Sequence, residues 1–288
     1  MRSTRASADV AGGARRAANA AARTAAAASG GTTSASPIAE RLLAAAGELS
    51  GALAALRFAP PIAHVYDPLQ YAWAPYAAYV NRYGATRKRV VLLGMNPGPF
   101  GMMQTGVPFG EVAAVHDWMG ISAPVQVPQL QHAKRPISGF ACLRSEVSGR
   151  RLWGWAALRF GSAEAFFRDW FVLNYCPLVF LEASGRNFTP DKLPAAERRA
   201  VEDACSHHLA AALMALEPEW VIGVGAFAER CLRGVLESER VESAFARKVK
   251  VAQILHPSPA SPAANRGWSE AVDRTLAQLG VAVPARTG

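Results

Sequence analysis

Four short apolar runs, separated by segments of helical character, constrain this chain more than any other feature. They occupy residues 90–93, 170–173, 220–222 and 249–255. Between and after them, residues 111–119, 146–160, 197–216, 226–236 and 268–279 read as helices. Strands alternating with helices predict an α/β fold, a single domain with a central four-stranded parallel sheet flanked by helices. Right-handed crossovers place all four strand ends on one edge, where open α/β sheets receive their ligands. Asn96, Asn174, the turn Gly223-Val224-Gly225 and His256 lie just beyond those ends and are expected to converge there, though far apart in sequence.

The first strand runs into Gly94-Met95-Asn96-Pro97-Gly98-Pro99-Phe100-Gly101-Met102. Pro97 and Pro99 fix φ, while Gly98 and Gly101 let a ligand approach the main chain closely. An ordinary tight turn would also use such residues, and the glycine spacing matches neither a dinucleotide fingerprint nor a P-loop. Phe109, between Pro108 and Gly110, suits either a stacking platform for a flat ligand or a core anchor for the next helix. His256 opens the rigid loop His256-Pro257-Ser258-Pro259, which exposes it at the sheet edge. A neutral imidazole there can donate one N–H to a forming oxyanion. Asn265, Arg266 and Trp268 bring a cation and an aromatic to the same loop, useful against phosphates. Neither a nucleophile elbow nor an H-E-x-x-H pattern is present. Two carboxamides and one histidine suit orienting a water and stabilising a leaving anion better than covalent catalysis.

The net charge of +9 and pI near 9.8 point to a polyanionic partner, of which nucleic acid is the usual one. No apolar run reaches the roughly 18 residues of a membrane span. Cys142, Cys176, Cys205 and Cys231 form no C-x-x-C pair, so no zinc or iron–sulfur site is expected. Free thiols fit a reducing, intracellular compartment. Residues 1–36 are rich in Ala, Ser, Thr and Gly, with Arg2, Arg5, Arg15, Arg16 and Arg23 against the single acid Asp9. That composition matches an organelle transit peptide or, the favoured reading, a disordered basic tail, leaving 37–288 as the folded domain. Leucines at helical spacing predict a helix over 38–56. Residues 62–86 hold Tyr66, Tyr71, Trp73, Tyr76, Tyr79 and Tyr83. These suit base stacking or, the favoured reading, an irregular layer packed on the core.

The loop from Gly94 to Met102, followed by Gln104-Thr105-Gly106-Val107-Pro108-Phe109-Gly110-Glu111-Val112, resembles the first active-site motif of single-strand-selective monofunctional uracil-DNA glycosylases. His256-Pro257-Ser258-Pro259 resembles the second motif of the uracil-DNA glycosylase superfamily. Ser145-Glu146-Val147-Ser148-Gly149, Asn174-Tyr175-Cys176-Pro177-Leu178 and Ser184-Gly185-Arg186-Asn187 also look like this family. The resemblance implies a uracil-DNA glycosylase-like fold and a monofunctional enzyme. Such an enzyme hydrolyses the N-glycosidic bond of deoxyuridine, and of 5-hydroxymethyluracil nucleotides, in single- or double-stranded DNA, leaving an abasic site. It implies that Asn96 positions the attacking water, that His256 donates to O2 of uracil, that Phe109 stacks on the flipped base and that Asn174 reads the base edge. Met95, Gly98, Phe100 and Met102 would shape the pocket. Ser258, Pro259, Ala260, Ser261 and Arg266 fall on the DNA-facing loop. At Ala260 the chain departs from the vertebrate pattern, which has an arginine that enters the duplex, so a weaker hold on duplex DNA and on abasic product is expected. No metal or organic cofactor is implied, nor a membrane, and the expected state is a monomer. The compositional expectation is bacterial cytoplasm, or a nucleus in a eukaryote. A catalytically inactive DNA-binding module is the alternative reading.

Overall fold

The computed structural model describes residues 36–286. The tail read at 1–36 lies outside them except for Ser36, whose hydroxyl caps the first helix by accepting from Ile38 N at 3.3 Å. Helix α1 (Pro37–Ala54) buries Leu42, Ala46, Leu49 and Leu53 along one stripe. Each such leucine is worth about 1.5–3 kcal/mol when fully buried. Strand β1 (Ile62–Tyr66) and helices α2 (Pro68–Tyr71) and α3 (Trp73–Tyr83) follow. The stretch expected to be irregular is therefore regular, but its aromatics do pack inward. Tyr79 is buried, stacks on Phe171 at 4.9 Å and donates to Val172 O, while Tyr83 donates to Met119 O.

Strand β2 (Val90–Gly94) is buried throughout and leads through the proline loop to a short helix, α4 (Met102–Thr105). Residues 111–119, expected as an α-helix, instead contain a π-helical turn at Ala114–Trp118. Helix α5 (Val147–Phe160) and helix α6 (Ala163–Asp169) precede strand β3 (Trp170–Asn174). Two strands absent from the sequence reading come next, β4 (Val179–Glu182) and β5 (Asn187–Phe188). They complete a small antiparallel sheet of order β1-β4-β5. Helix α7 (Ala195–Leu216) packs along α1. Strand β6 (Trp220–Val224), helices α8 (Ala226–Leu236) and α9 (Ser243–Ala246), strand β7 (Lys250–Ile254), α10 (Pro262–Asn265) and α11 (Trp268–Leu279) complete the fold.

The main sheet has order β3-β2-β6-β7 and is parallel throughout. Its register pairs Gly94 with Asn174 and Leu93 with Gly223, and Val224 with Ile254. All four carboxyl ends therefore share one edge, as the alternation of runs and helices predicted. The segment after β3, residues 175–178, connects the two sheets.

Candidate active site at the carboxyl edge of the parallel sheet

Strands β2 and β3 stay joined past the end of their ladder. Tyr175 N donates to Gly94 O and Cys176 N to Met95 O, each at 2.9 Å. Asn96 Nδ2 donates to Leu178 O at 3.1 Å. That bond fixes the carboxamide and leaves Oδ1 with no protein donor among the described residues. Asn174 is only 8% exposed. Its Nδ2 donates to Met102 Sδ at 3.3 Å, a weak acceptor, and its Oδ1 takes no protein hydrogen bond among the described residues. A Cβ added to Gly94 would lie 2.6 Å from Phe109 Cε2 and closer still to Asn174 Oδ1. Ring and carboxamide therefore meet over a glycine that nothing larger can replace.

Phe109 is held at φ 53, a backbone region that a bulky residue enters only under constraint. The constraint is visible. Its carbonyl accepts from Trp153 Nε1 at 2.9 Å and from Glu111 N at 2.7 Å, and Thr105 Oγ1 donates to the neighbouring Gly110 O at 2.9 Å. A Cβ on Gly149 would overlap that same carbonyl. The first turn of α5 thus presses directly on the residue that carries the ring.

His256 follows β7 and packs against Gly225, whose φ of 94 needs a glycine and whose added Cβ would lie 3.2 Å from His256 Cβ. Ser258 N donates to His256 Nδ1 at 3.0 Å. An accepting Nδ1 leaves the ring proton on Nε2. Burial pushes the His256 pKa below the ordinary histidine value, so the neutral Nε2–H tautomer is the resting form.

Sequence reasoning gave no role to three side chains that hold this site, two of which, Gln104 and Glu146, lie in the motif stretches. Arg151 on α5 donates through Nη1 to Pro257 O at 3.0 Å and Ser258 O at 3.2 Å, and through Nη2 to Asn265 Oδ1 at 2.8 Å. Asn265 in turn donates to Pro259 O at 2.9 Å, so a guanidinium and a carboxamide together brace the loop behind His256. Gln104 is buried with every amide valence used: Nε2 donates to Pro99 O and Pro136 O, and Oε1 accepts from Ser138 N and Gly139 N. Glu146 caps α5, accepting from Ser148 N and Gly149 N, and its Oε1 lies 3.6 Å from where a Cβ on Gly98 would stand. Burial raises the Glu146 pKa, opposed by those N–H bonds and assisted by the charge of Glu111.

The remaining residues singled out from the sequence lie around this edge, some buried and some exposed. The Phe100 ring lies under the Arg144 guanidinium at 4.2 Å, with Arg135 at 5.3 Å. Met95 contributes its carbonyl to the β2–β3 junction, and Met102 its sulfur to Asn174. Ser258 Oγ accepts from the exposed Ala260 N at 3.1 Å, and Ser261 Oγ caps α10. Pro259 and Arg266 are exposed, and Arg266 makes no side-chain hydrogen bond or ion pair among the described residues. Among those residues no cluster of His, Cys, Asp or Glu is placed to hold a metal ion, and no helix is long and apolar enough to cross a membrane.

The carboxyl edge of the parallel sheet thus gathers two carboxamides whose oxygens take no protein donor among the described residues, a seated ring and a histidine held neutral. The family model of the uracil DNA glycosylase superfamily matches residues 81–279, and the chain belongs to that superfamily. Within it, the chain is 46% identical over 244 residues to the single-strand selective monofunctional uracil DNA glycosylase of Bos taurus, covering 85% of this chain and 88% of that protein. It is 45% identical to the protein of the same name from Mus musculus, covering 85% of each. The crystal structure of wild-type Pedobacter heparinus SMUG2 shares the fold, with a TM-score of 0.59 at 19% identity over 84% of this chain and 97% of that one.

Proposed function

We propose that this chain is a monofunctional uracil-DNA glycosylase that removes uracil from DNA by hydrolysis. One observation carries the reading: Asn174 is a buried carboxamide with an N–H and a carbonyl to spare, set beside an aromatic ring. Uracil presents O4 as an acceptor and N3–H as a donor, and one fixed carboxamide answers both. Cytosine reverses the pattern and leaves the amide unpaired, at about 1–3 kcal/mol per buried group. The Phe109 ring supplies the stacking face for a base taken out of the helix.

Bond cleavage leaves an oxocarbenium-like sugar and a uracil anion. His256, neutral with its proton on Nε2, donates to O2 as charge gathers there. Asn96 Oδ1, fixed by the bond to Leu178 O, accepts from a water and aims it at the sugar carbon. An amide is a weak base, and a cation-like sugar needs no stronger one. Gly98 leaves room at the 5-edge of the ring, which suits 5-hydroxymethyluracil as a second substrate. Ala260, too small to fill a vacated stack, favours single-stranded over duplex substrate.

The test is base release from single-stranded and duplex oligonucleotides carrying one uracil or one 5-hydroxymethyluracil, in EDTA, by the wild type and Asn96→Ala. Release by the wild type that collapses in the variant supports the reading. No release from any substrate, with DNA binding intact, would replace it with a binding module on a glycosylase fold.

A further inference from the structure

We infer that Leu143 and Arg144 form the element that this chain inserts into and anchors on duplex DNA, an inference that rests on the glycosylase reading. Leu143 is 100% exposed, above Leu130 at 81%, Val127 at 67% and Leu158 at 48%. One solvated leucine is ordinary on a protein surface. The setting of this one is not.

The segment bearing it lies against the loop that carries Asn96. A Cβ on Gly101 would stand 3.0 Å from Glu146 Cγ, and Arg144 covers the Phe100 ring at 4.2 Å. The tip is also braced, with Cys142 Sγ donating to Arg144 O at 3.8 Å behind Leu143 and the turn Gly139–Ala141 leading into it. Arg135 joins Arg144 over the same ring at 5.3 Å. An exposed apolar side chain next in sequence to one guanidinium, on a segment where two guanidinium groups cover the Phe100 ring of the proline loop, is complementary to a base stack flanked by phosphates.

A need for such a point exists elsewhere in the molecule. Extruding a base leaves a gap in the stack, and an apolar side chain pushed into that gap offsets the cost of unstacking. The loop after β7 presents only Ala260 and Ser261 beyond Pro259, and neither has the bulk. Leu143, on the segment that packs against the proline loop, fills the gap, while Arg144 takes a flanking phosphate.

The experiment compares duplex with single-strand turnover on one uracil-bearing sequence, for wild type, Leu143→Ala, Leu143→Phe, Arg144→Gln, Arg266→Ala and Leu130→Ala. Leu143→Ala is expected to lower the duplex-to-single-strand ratio about tenfold. Leu143→Phe should keep the ratio, and Arg144→Gln should raise the duplex KM and flatten its salt dependence. Leu130→Ala, which removes another exposed leucine outside the 142–144 segment, should match the wild type. In a duplex with 2-aminopurine beside the uracil, fluorescence should rise on binding of the wild type and not of Leu143→Ala. A ratio and a fluorescence change unaltered by Leu143→Ala would overturn the inference, as would selective duplex loss in Arg266→Ala instead. A wild type without base release on either strand state would remove the glycosylase reading and this inference with it.

Discussion

Only the hydrogen on the Cα of Gly94 fits beneath the Phe109 ring: a methyl group there would come within 2.6 Å of Phe109 Cε2, with Asn174 Oδ1 nearer still. The pocket wall depends on a side chain that is missing. Gly94→Ala must therefore push the ring or the carboxamide aside. Uracil release should fall at least about a hundredfold, the scale on which misplaced catalytic groups lose rate. Single-turnover kinetics beside a melting curve checks this, since the folded state should persist while the rate does not.

Replacing Asn96 separates binding from chemistry. Asn96→Ala removes the Oδ1 that has no protein donor among the described residues and cuts the bond to Leu178 O. The single-turnover rate should drop by about 10²–10³, with affinity for uracil-bearing DNA changed less than threefold by fluorescence anisotropy.

His256 gives the enzyme a defined acid limb. Its pKa is depressed by burial, and the depressed form is the neutral one that accepts from Ser258 N. A depressed folded-state pKa means that its stability contribution is fully present above the ordinary value of about 6.5 and is lost progressively from there as pH falls through the lower folded value, whereas the protonation state of the folded site changes only at that lower value. The kcat/KM profile should stay level through pH 6.5 and decline below it. His256→Gln should lower the level region and erase that decline.

Arg151 tests whether the loop behind His256 needs its brace. Three acceptors on that loop and on Asn265 converge on one guanidinium. Arg151→Ala should cost about 1–3 kcal/mol of stability and about tenfold in the rate of base release. Arg151→Lys should recover little, because a point charge cannot serve three acceptors as a planar fork does. Chemical denaturation and single-turnover assays on both variants decide it.

Ala260→Arg is the reciprocal of the duplex argument. A long cation at this exposed position should raise duplex turnover and tighten the hold on abasic product, while single-strand turnover stays near wild type. Burst kinetics, which separate base removal from product release, will show whether the slow step moves.

Much of this architecture was legible before any coordinates. The four apolar runs became the four parallel strands within one or two residues at most ends, and parallel order forced Asn96, Asn174 and His256 to one edge. The small antiparallel sheet was not legible. β4 is four residues long, starts two residues after Pro177 and pairs with β1, more than a hundred positions earlier. The helix expected at 111–119 wound more loosely over part of its length, where Val115 and Met119 are fully buried. Glu146 was read as the first helical residue, whereas it caps the helix, a position where Ser, Thr, Asp or Asn is the usual choice. Arg151 gave no signal at all, and Gln104, though part of the first motif, was given no role. An arginine on a helix and a glutamine in a loop-rich stretch look like solvent contacts until their acceptors, distant in the chain, are in place.

The segment from Asn174 to Leu178 is five residues long and carries both carboxamides' fates, Asn174 as a member and Asn96 as a tenant of the Leu178 carbonyl. On the proposed roles of Asn174 and Asn96, substitutions in it are expected to move base discrimination and the water site together. Randomising 175–178 should then yield variants in which selectivity and speed rise or fall together, a strongly epistatic patch in which neither trait can be tuned alone.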